Sequence, residues 1–192
     1  MALTTRLKFP SLGELRIPMP GRQANNRLPA LEYPLSPAPR VAVLGTALRR
    51  TPGVHCLLEW TSEELAGLRP MALAGRWEEL AAAGGLLESG RLKLPDLTFP
   101  LLVFTRPRES RLTGEHHEQL WKWFSLPAFE QVRGASDELL AYECEAREGF
   151  HLAPGVRASL LGGAPCKQEC PCGESAPRMR PDVHLRTAAA GD

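Results

Sequence analysis

Three of the five cysteines in this chain of 192 residues fall within seven positions, Cys166, Cys170 and Cys172 in the run CKQECPCG. That crowding constrains the last third of the chain more than any other feature. The N-terminal stretch Met1 to Arg16 carries Arg6, Lys8 and Arg16 and lacks the continuous apolar core of a secretory signal. The expected location is therefore the cytoplasm, where clustered thiols and an odd cysteine count point to metal or redox chemistry rather than a disulfide framework. Two more donors precede the cluster, Cys144 in YECEA and His151 in GFH. A structural zinc ion takes four nitrogen or sulfur ligands in a tetrahedron, and three cysteines with one histidine are a common set. Pro171 and Gly173 make Cys170–Gly173 a stiff and then flexible knuckle, able to aim two thiolates at one point. Cys144 and His151 flank an expected turn at Arg147 to Gly149. The preferred zinc ligands are Cys144, His151, Cys170 and Cys172, with Cys166 as the alternate. The spacing departs from the paired C-x2-C motifs of a zinc ribbon, so an iron–sulfur cluster on four cysteines and unliganded thiols stay open.

A hydrophobic share of 43% with 23% charged residues is that of a globular chain. No run approaches the roughly 20 apolar residues that span a bilayer. Net charge is +1 with basic residues scattered, which gives nucleic acid no stripe to bind. A protein partner remains the class of binding left open.

Seven prolines in residues 1–40 predict an extended, Pro-rich arm. From residue 41 to 184 strands and helices alternate, the pattern of a single mixed α/β or α+β domain that includes the metal-binding segment 144–178. Residues 185–192 read as a flexible tail. Within the domain, 40–45 and 54–60 are expected strands. Thr61 caps a helix, with Glu64 closing a capping box and Trp60 stapling onto Leu65. A second helix is expected from about Pro70, on the spacing of Leu73, Trp77, Leu80 and Ala81, with Gly84-Gly85 ending it. Residues 97–105 read as a strand that Pro100 would bulge or confine to an edge. Thr113 caps a third helix whose apolar face is Leu120, Trp121 and Phe124, leaving Trp123 on the surface or in a groove. Ala128 to Val132 and Leu139 to Tyr142 pair as a hairpin across Gly-Ala-Ser-Asp.

Other polar residues carry weaker signals. His55 and Cys56 are adjacent on a strand and face opposite ways, so they do not form a nucleophile and base. His116 and His117 sit in a helix's first turn, where solvation is the usual state. Glu143 and Glu145 are two apart and could share a strand face near Glu130, an arrangement open to acid–base work or Mg²⁺ but commoner as solvated carboxylates.

The run LW-x-WF-x-LP-x-FEQ, followed by ELLAYECEAREGFH and C-x-CG-x3-PR, covers about residues 120–180. It resembles the late large-domain region of phenylacetate–coenzyme A ligase-like adenylate-forming enzymes. The resemblance implies a Mg²⁺–ATP role for Glu130 as the weak catalytic candidate, and zinc on the ligands already chosen. No Ser/Thr/Gly-rich phosphate loop precedes Gly114, and the chain ends where that family's hinge and small domain would begin. The chain is therefore expected to be a zinc-stabilised accessory or binding domain, shortened relative to a ligase, rather than a complete enzyme. The alternatives are a degenerate or split acid–CoA ligase-like protein that binds a nucleotide or acyl compound, and an iron–sulfur or redox protein using the cysteine cluster.

Overall fold

A computed structural model describes residues 28–107 and 109–181. Residues 1–27 of the expected arm and all of the expected tail over 185–192 lie outside the described residues. Among the described residues nine strands form one mixed sheet, and three helices pack on it. In chain order these are β1 (Val41–Leu44), β2 (Val54–Leu57), α1 (Ser62–Leu68), β3 (Ala72–Arg76), α2 (Trp77–Glu88), β4 (Leu101–Thr105), α3 (Gly114–Phe124), β5 (Ala128–Arg133), β6 (Leu139–Glu143), β7 (Phe150–Leu152), β8 (Gly163–Cys166) and β9 (Arg178–Pro181). A short 3-10 turn, Ala158–Leu161, precedes β8. The spatial order is β2-β1-β3-β4-β5-β6-β7-β9-β8. Pairing is parallel from β2 to β5 and antiparallel from β5 to β8, so β5 is where the sheet changes character. Among the described residues no helix is long and apolar enough to cross a membrane.

The period of two in the strands assigns the two faces. Ala42, Leu44, Leu73, Leu101 and Val103 meet Leu65 of α1, Leu80 and Ala83 of α2, and Leu120 and Phe124 of α3. Val41, Val43, Ala72, Ala74, Leu102 and Phe104 point to the other face, where Leu48, Leu31, Tyr33 and Phe99 cover them. Both faces of β1, β3 and β4 are thus buried, and these strands read as nearly continuous apolar runs. Burying one Leu, Val or Phe side chain contributes about 1.5–3 kcal/mol, so these two layers hold the parallel half together.

Both helix caps expected at threonines are present. Thr61 Oγ1 accepts from the Glu64 backbone N–H while the Glu64 carboxylate accepts from Thr61 N–H. At α3 the reciprocal partner is a histidine, since His116 Nδ1 accepts from Thr113 N–H and His116 N–H donates to Thr113 Oγ1. His116 also packs on Trp77, with ring centroids 4.3 Å apart, and is half-buried rather than solvated.

Four expectations are corrected. Residues 70–76 do not begin a helix, because Ala72 to Gly75 are fully buried as the strand between β1 and β4. A short buried apolar run carries no period that separates strand from helix. Gly84-Gly85 does not end α2, which runs on to Glu88. Gly84 sits where α2 meets α3, and a Cβ there would overlap the Trp123 ring. The two tryptophans are exchanged: Trp121 is 58% exposed, while Trp123 packs against the main core and lies 6.0 Å from Trp77, its Nε1 donating to Glu88. Pro100 neither bulges the next strand nor confines it to an edge. It stands just before the central strand β4, and its carbonyl accepts from Tyr33 Oη at 2.7 Å.

Gly84→Ala should lower stability by about 1–3 kcal/mol through overpacking, despite alanine's better helix propensity. Thermal melting checks this, and an unchanged midpoint would mean that the α2–α3 contact is looser than described. Trp123→Ala should cost about 3 kcal/mol, whereas Trp121→Ala should stay within about 0.5 kcal/mol. Denaturant titration of the pair reads the difference directly.

Candidate metal centre

Register in the antiparallel half places the donors. Tyr142 of β6 lies opposite His151 of β7, and His151 lies opposite Arg178 of β9. Ala141, Phe150, Leu152 and Met179 turn to the small core of this half. Their strand neighbours Tyr142, His151 and Arg178 therefore face the other way, and Cys144, two residues beyond Tyr142, continues that face. Tyr142 stacks on His151 with centroids 5.3 Å apart and planes 22° from parallel. The β6–β7 turn closes with Arg147 N–H donating to Cys144 O, and Arg147 adopts a left-handed φ of 53°. Gly149 follows at φ 116°, where a Cβ would come within 2.5 Å of Met179 O, so only glycine fits.

The loop between β8 and β9 brings the remaining thiols. Gly173 N–H donates to Cys170 O, and Glu174 N–H points at Cys172 Sγ at 3.5 Å. Cys144 Sγ lies 3.4 Å from Cys170 Sγ, and Cys172 Sγ lies 3.4 Å from His151 Nε2. The ligand atoms of Cys144, His151, Cys170 and Cys172 all lie within 4.8 Å of one another. Around a tetrahedral zinc with bonds of about 2.0–2.3 Å, donors stand roughly 3.3–3.8 Å apart. The four side chains could therefore hold a metal ion with small adjustments. Cys144, His151 and Cys170 are buried and Cys172 is half-buried. Cys166, the alternate, lies at the end of β8 opposite Arg178 and outside this group. Cys56 is half-buried on β2, its thiol 3.6 Å from Leu48 O, and adjacent His55 is exposed.

The electrostatics divide the thiols. Burial and the neighbouring Cys170 and Cys172 thiols push Cys144 up, against an opposing Ala146 backbone hydrogen bond. Burial also opposes ionisation of Cys170, but the Cys172 backbone N–H, the Cys172 and Cys144 side chains and the Arg178 cation outweigh it and hold that thiol below its ordinary value. Burial and Arg178 hold His151 low, opposed by Ala176 and Glu174, which favours the neutral imidazole that a metal requires.

The acidic candidates separate. Glu130 on β5 is 2% exposed, and both its oxygens accept from protein donors. Oε1 takes Thr105 Oγ1 at 2.6 Å and Arg111 Nη1 at 3.2 Å, and Oε2 takes the Leu112 N–H at 3.1 Å. Glu143 Oε2 accepts from the Glu130 N–H at 2.9 Å, and burial pushes its carboxyl up to about 7. Glu145 lies beyond β6 and is exposed. His117 is half-buried, held below its usual value by burial and Arg147. Local sequence pattern does not announce the burial of two arginines: Arg133, fully buried over the Phe104 ring, and Arg178, the last residue of the C-x-CG-x3-PR run, beside the cysteine group.

No protein-family model matches the sequence, and no curated protein matches it. The fold is similar to that of 2-hydroxyisobutyryl-CoA ligase, seen in a crystal structure of its open conformation with 2-HIB-AMP and CoA. The TM-score is 0.50 at 10% sequence identity over 73% of this chain. The chain spans 43% of that ligase chain. The likeness to an adenylate-forming ligase read from residues 120–180 thus holds at the level of a shared fold, over part of the ligase.

Glu130→Gln should destabilise the protein by about 3 kcal/mol, because it leaves the buried Arg111 cation without its partner. Urea unfolding checks the value, and a change under about 0.5 kcal/mol would show that the pair contributes nothing net.

Proposed function

We propose that Cys144, His151, Cys170 and Cys172 bind one zinc ion with a structural role, and that the chain serves as a metal-stabilised accessory or binding domain built on part of a ligase-like fold. The observation that carries this reading is the convergence of three thiols and an imidazole, from three separate stretches of chain, with all four donor atoms within 4.8 Å of one another. A site closed by four protein ligands keeps no open position for a substrate, which is the pattern of structural rather than catalytic zinc. The donor set of three cysteines and one histidine favours zinc over a four-cysteine iron–sulfur cluster, since Cys166 stands outside the group. Bound zinc would cross-link the β6–β7 turn to the β8–β9 loop, in a half of the sheet whose own core is small.

A second reading keeps nucleotide or acyl binding. The shared fold favours it, because the similar ligase is a CoA ligase crystallised with an acyl-adenylate and CoA. Glu130 would have to release its protein donors before it could meet Mg²⁺. That cost places this reading second.

Plasma mass spectrometry of anaerobically purified protein should find about one zinc per chain, and Cys170→Ser should lose it. A loss of about 3 kcal/mol would lower the melting midpoint by about 10 °C in a domain of this size. Full zinc retention with unchanged melting would remove Cys170 from the site. Calorimetric titration with Mg²⁺–ATP should give no saturable heat, whereas clear binding would move the second reading ahead.

A further inference from the structure

Arg178 is a buried cation with no close carboxylate partner among the described residues. Its side chain is 4% exposed. Nη1 donates to Gln168 O at 3.3 Å and to Glu169 O at 3.2 Å, and Nη2 donates to Glu148 O at 2.9 Å. The single carboxylate within 4.0 Å among the described residues is Glu148, at that limit and itself 53% exposed. Nε has no hydrogen-bond partner among the described residues. Neutral carbonyl dipoles orient a guanidinium but do not cancel its charge, and a buried charge without a counter-charge costs several kcal/mol. The two other arginines with strongly buried side chains sit differently. Arg111 pairs with Glu130, and Arg133 packs on an aromatic face with its pKa pushed down to about 10, chiefly by burial.

The missing anion has one evident source. Arg178 stands opposite His151 across the β7–β9 pairing, on the face that carries the metal donors. Its carbonyl acceptors also come from the two segments that bear the thiols: Glu148 belongs to the turn after Cys144, and Gln168 and Glu169 immediately precede Cys170. A divalent ion with three thiolates and one neutral imidazole carries one net negative charge.

Resting on the zinc reading above, we propose that Arg178 is the counter-cation of the metal centre, which it stabilises as a mono-anionic complex of a divalent ion with three thiolates. Arg178 touches no donor atom in a ligating role; it is a positioning and charge-balancing residue. The centre accordingly favours a divalent ion with all three cysteines ionised over any form that keeps one of them protonated.

The test is Zn²⁺ affinity, measured by competition with a chromophoric chelator, for wild type, Arg178→Lys and Arg178→Met, together with melting of each metal-free form. Arg178→Met should bind Zn²⁺ about 10–100-fold more weakly, the range for losing a group that supports metal ligands. Arg178→Lys, which keeps the charge but not the planar fork, should recover affinity to within a few-fold of wild type. A Met variant that binds as tightly as wild type overturns the proposal. So does a Lys variant as weak as the Met variant, because loss of the carbonyl clamp alone would then explain the effect. Should the Met variant not fold, the Lys variant decides by the same few-fold criterion. A wild type that takes up no Zn²⁺ sinks the zinc reading itself, a result separate from tight binding that is indifferent to Arg178.

Discussion

The Glu130–Arg111 ion pair sits at the seam where the sheet turns from parallel to antiparallel. Glu130 reaches Thr105 on β4 and the segment before α3, while its own N–H holds Glu143 of β6. Arg111 extends the link, with Nη2 near Leu161 O and its guanidinium 5.0 Å from the Phe150 ring centroid. One buried charge pair thus touches the parallel half, the helical layer and the antiparallel half. Such a pair adds little net stability over a well-packed apolar substitute, but breaking it is costly. Its consequence is geometric: β6 is held beside β5, and the position of Cys144 follows from that of β6.

Stability is unevenly spread across this seam. The parallel half buries both faces of β1, β3, β4 and β5 beneath three helices and the 28–39 segment. Beyond β6 the strands shorten to three or four residues and rest on one small cluster. Backbone pairing alone offers little resistance to local opening in such a segment. A metal cross-link with donors from the end of β6, from β7 and from the β8–β9 loop would fall where the packing is thinnest. The buried Arg178 would be hard to account for there without the anion that a thiolate complex supplies.

Much of this was legible in the sequence wherever local chemistry decides the outcome. Thr61 and Thr113 announce helix starts because an unpaired backbone donor needs an oxygen within three residues. The β5–β6 hairpin is marked by its turn, and the four donors that converge could be picked from their ligand chemistry and from the turns between them. What stayed hidden depends on partners distant in the chain. Ala72 to Gly75 look helical beside Trp77 and Leu80 until β1 and β4 flank them. Gly84 reads as a stop until Trp123 fills its place, and the roles of Trp121 and Trp123 are set by which side α2 lies on. The strands β8 and β9 were missed because Pro165 lies on an edge strand, where a proline lacking its N–H is tolerated, and because the alternation of β9 is too short to register. Arg178 showed only as the last residue of the C-x-CG-x3-PR run, and its burial depends on the pairing of β7 with β9, which no local pattern announces.

A fold shared with part of a ligase does not bring the ligase's site with it, because function depends on the disposition of particular groups. Adenylate formation needs donors for a triphosphate and a carboxylate free to meet a cation. Here Glu130, the acid that the resemblance singles out, has its oxygens committed to Thr105, Arg111 and Leu112. The acid beside it, Glu143, is turned toward the Glu130 backbone N–H. Three thiols and an imidazole converge instead on the far side of the sheet, beside the buried Arg178. That group could hold a metal ion, while the Glu130 contacts keep the strands that carry it in register.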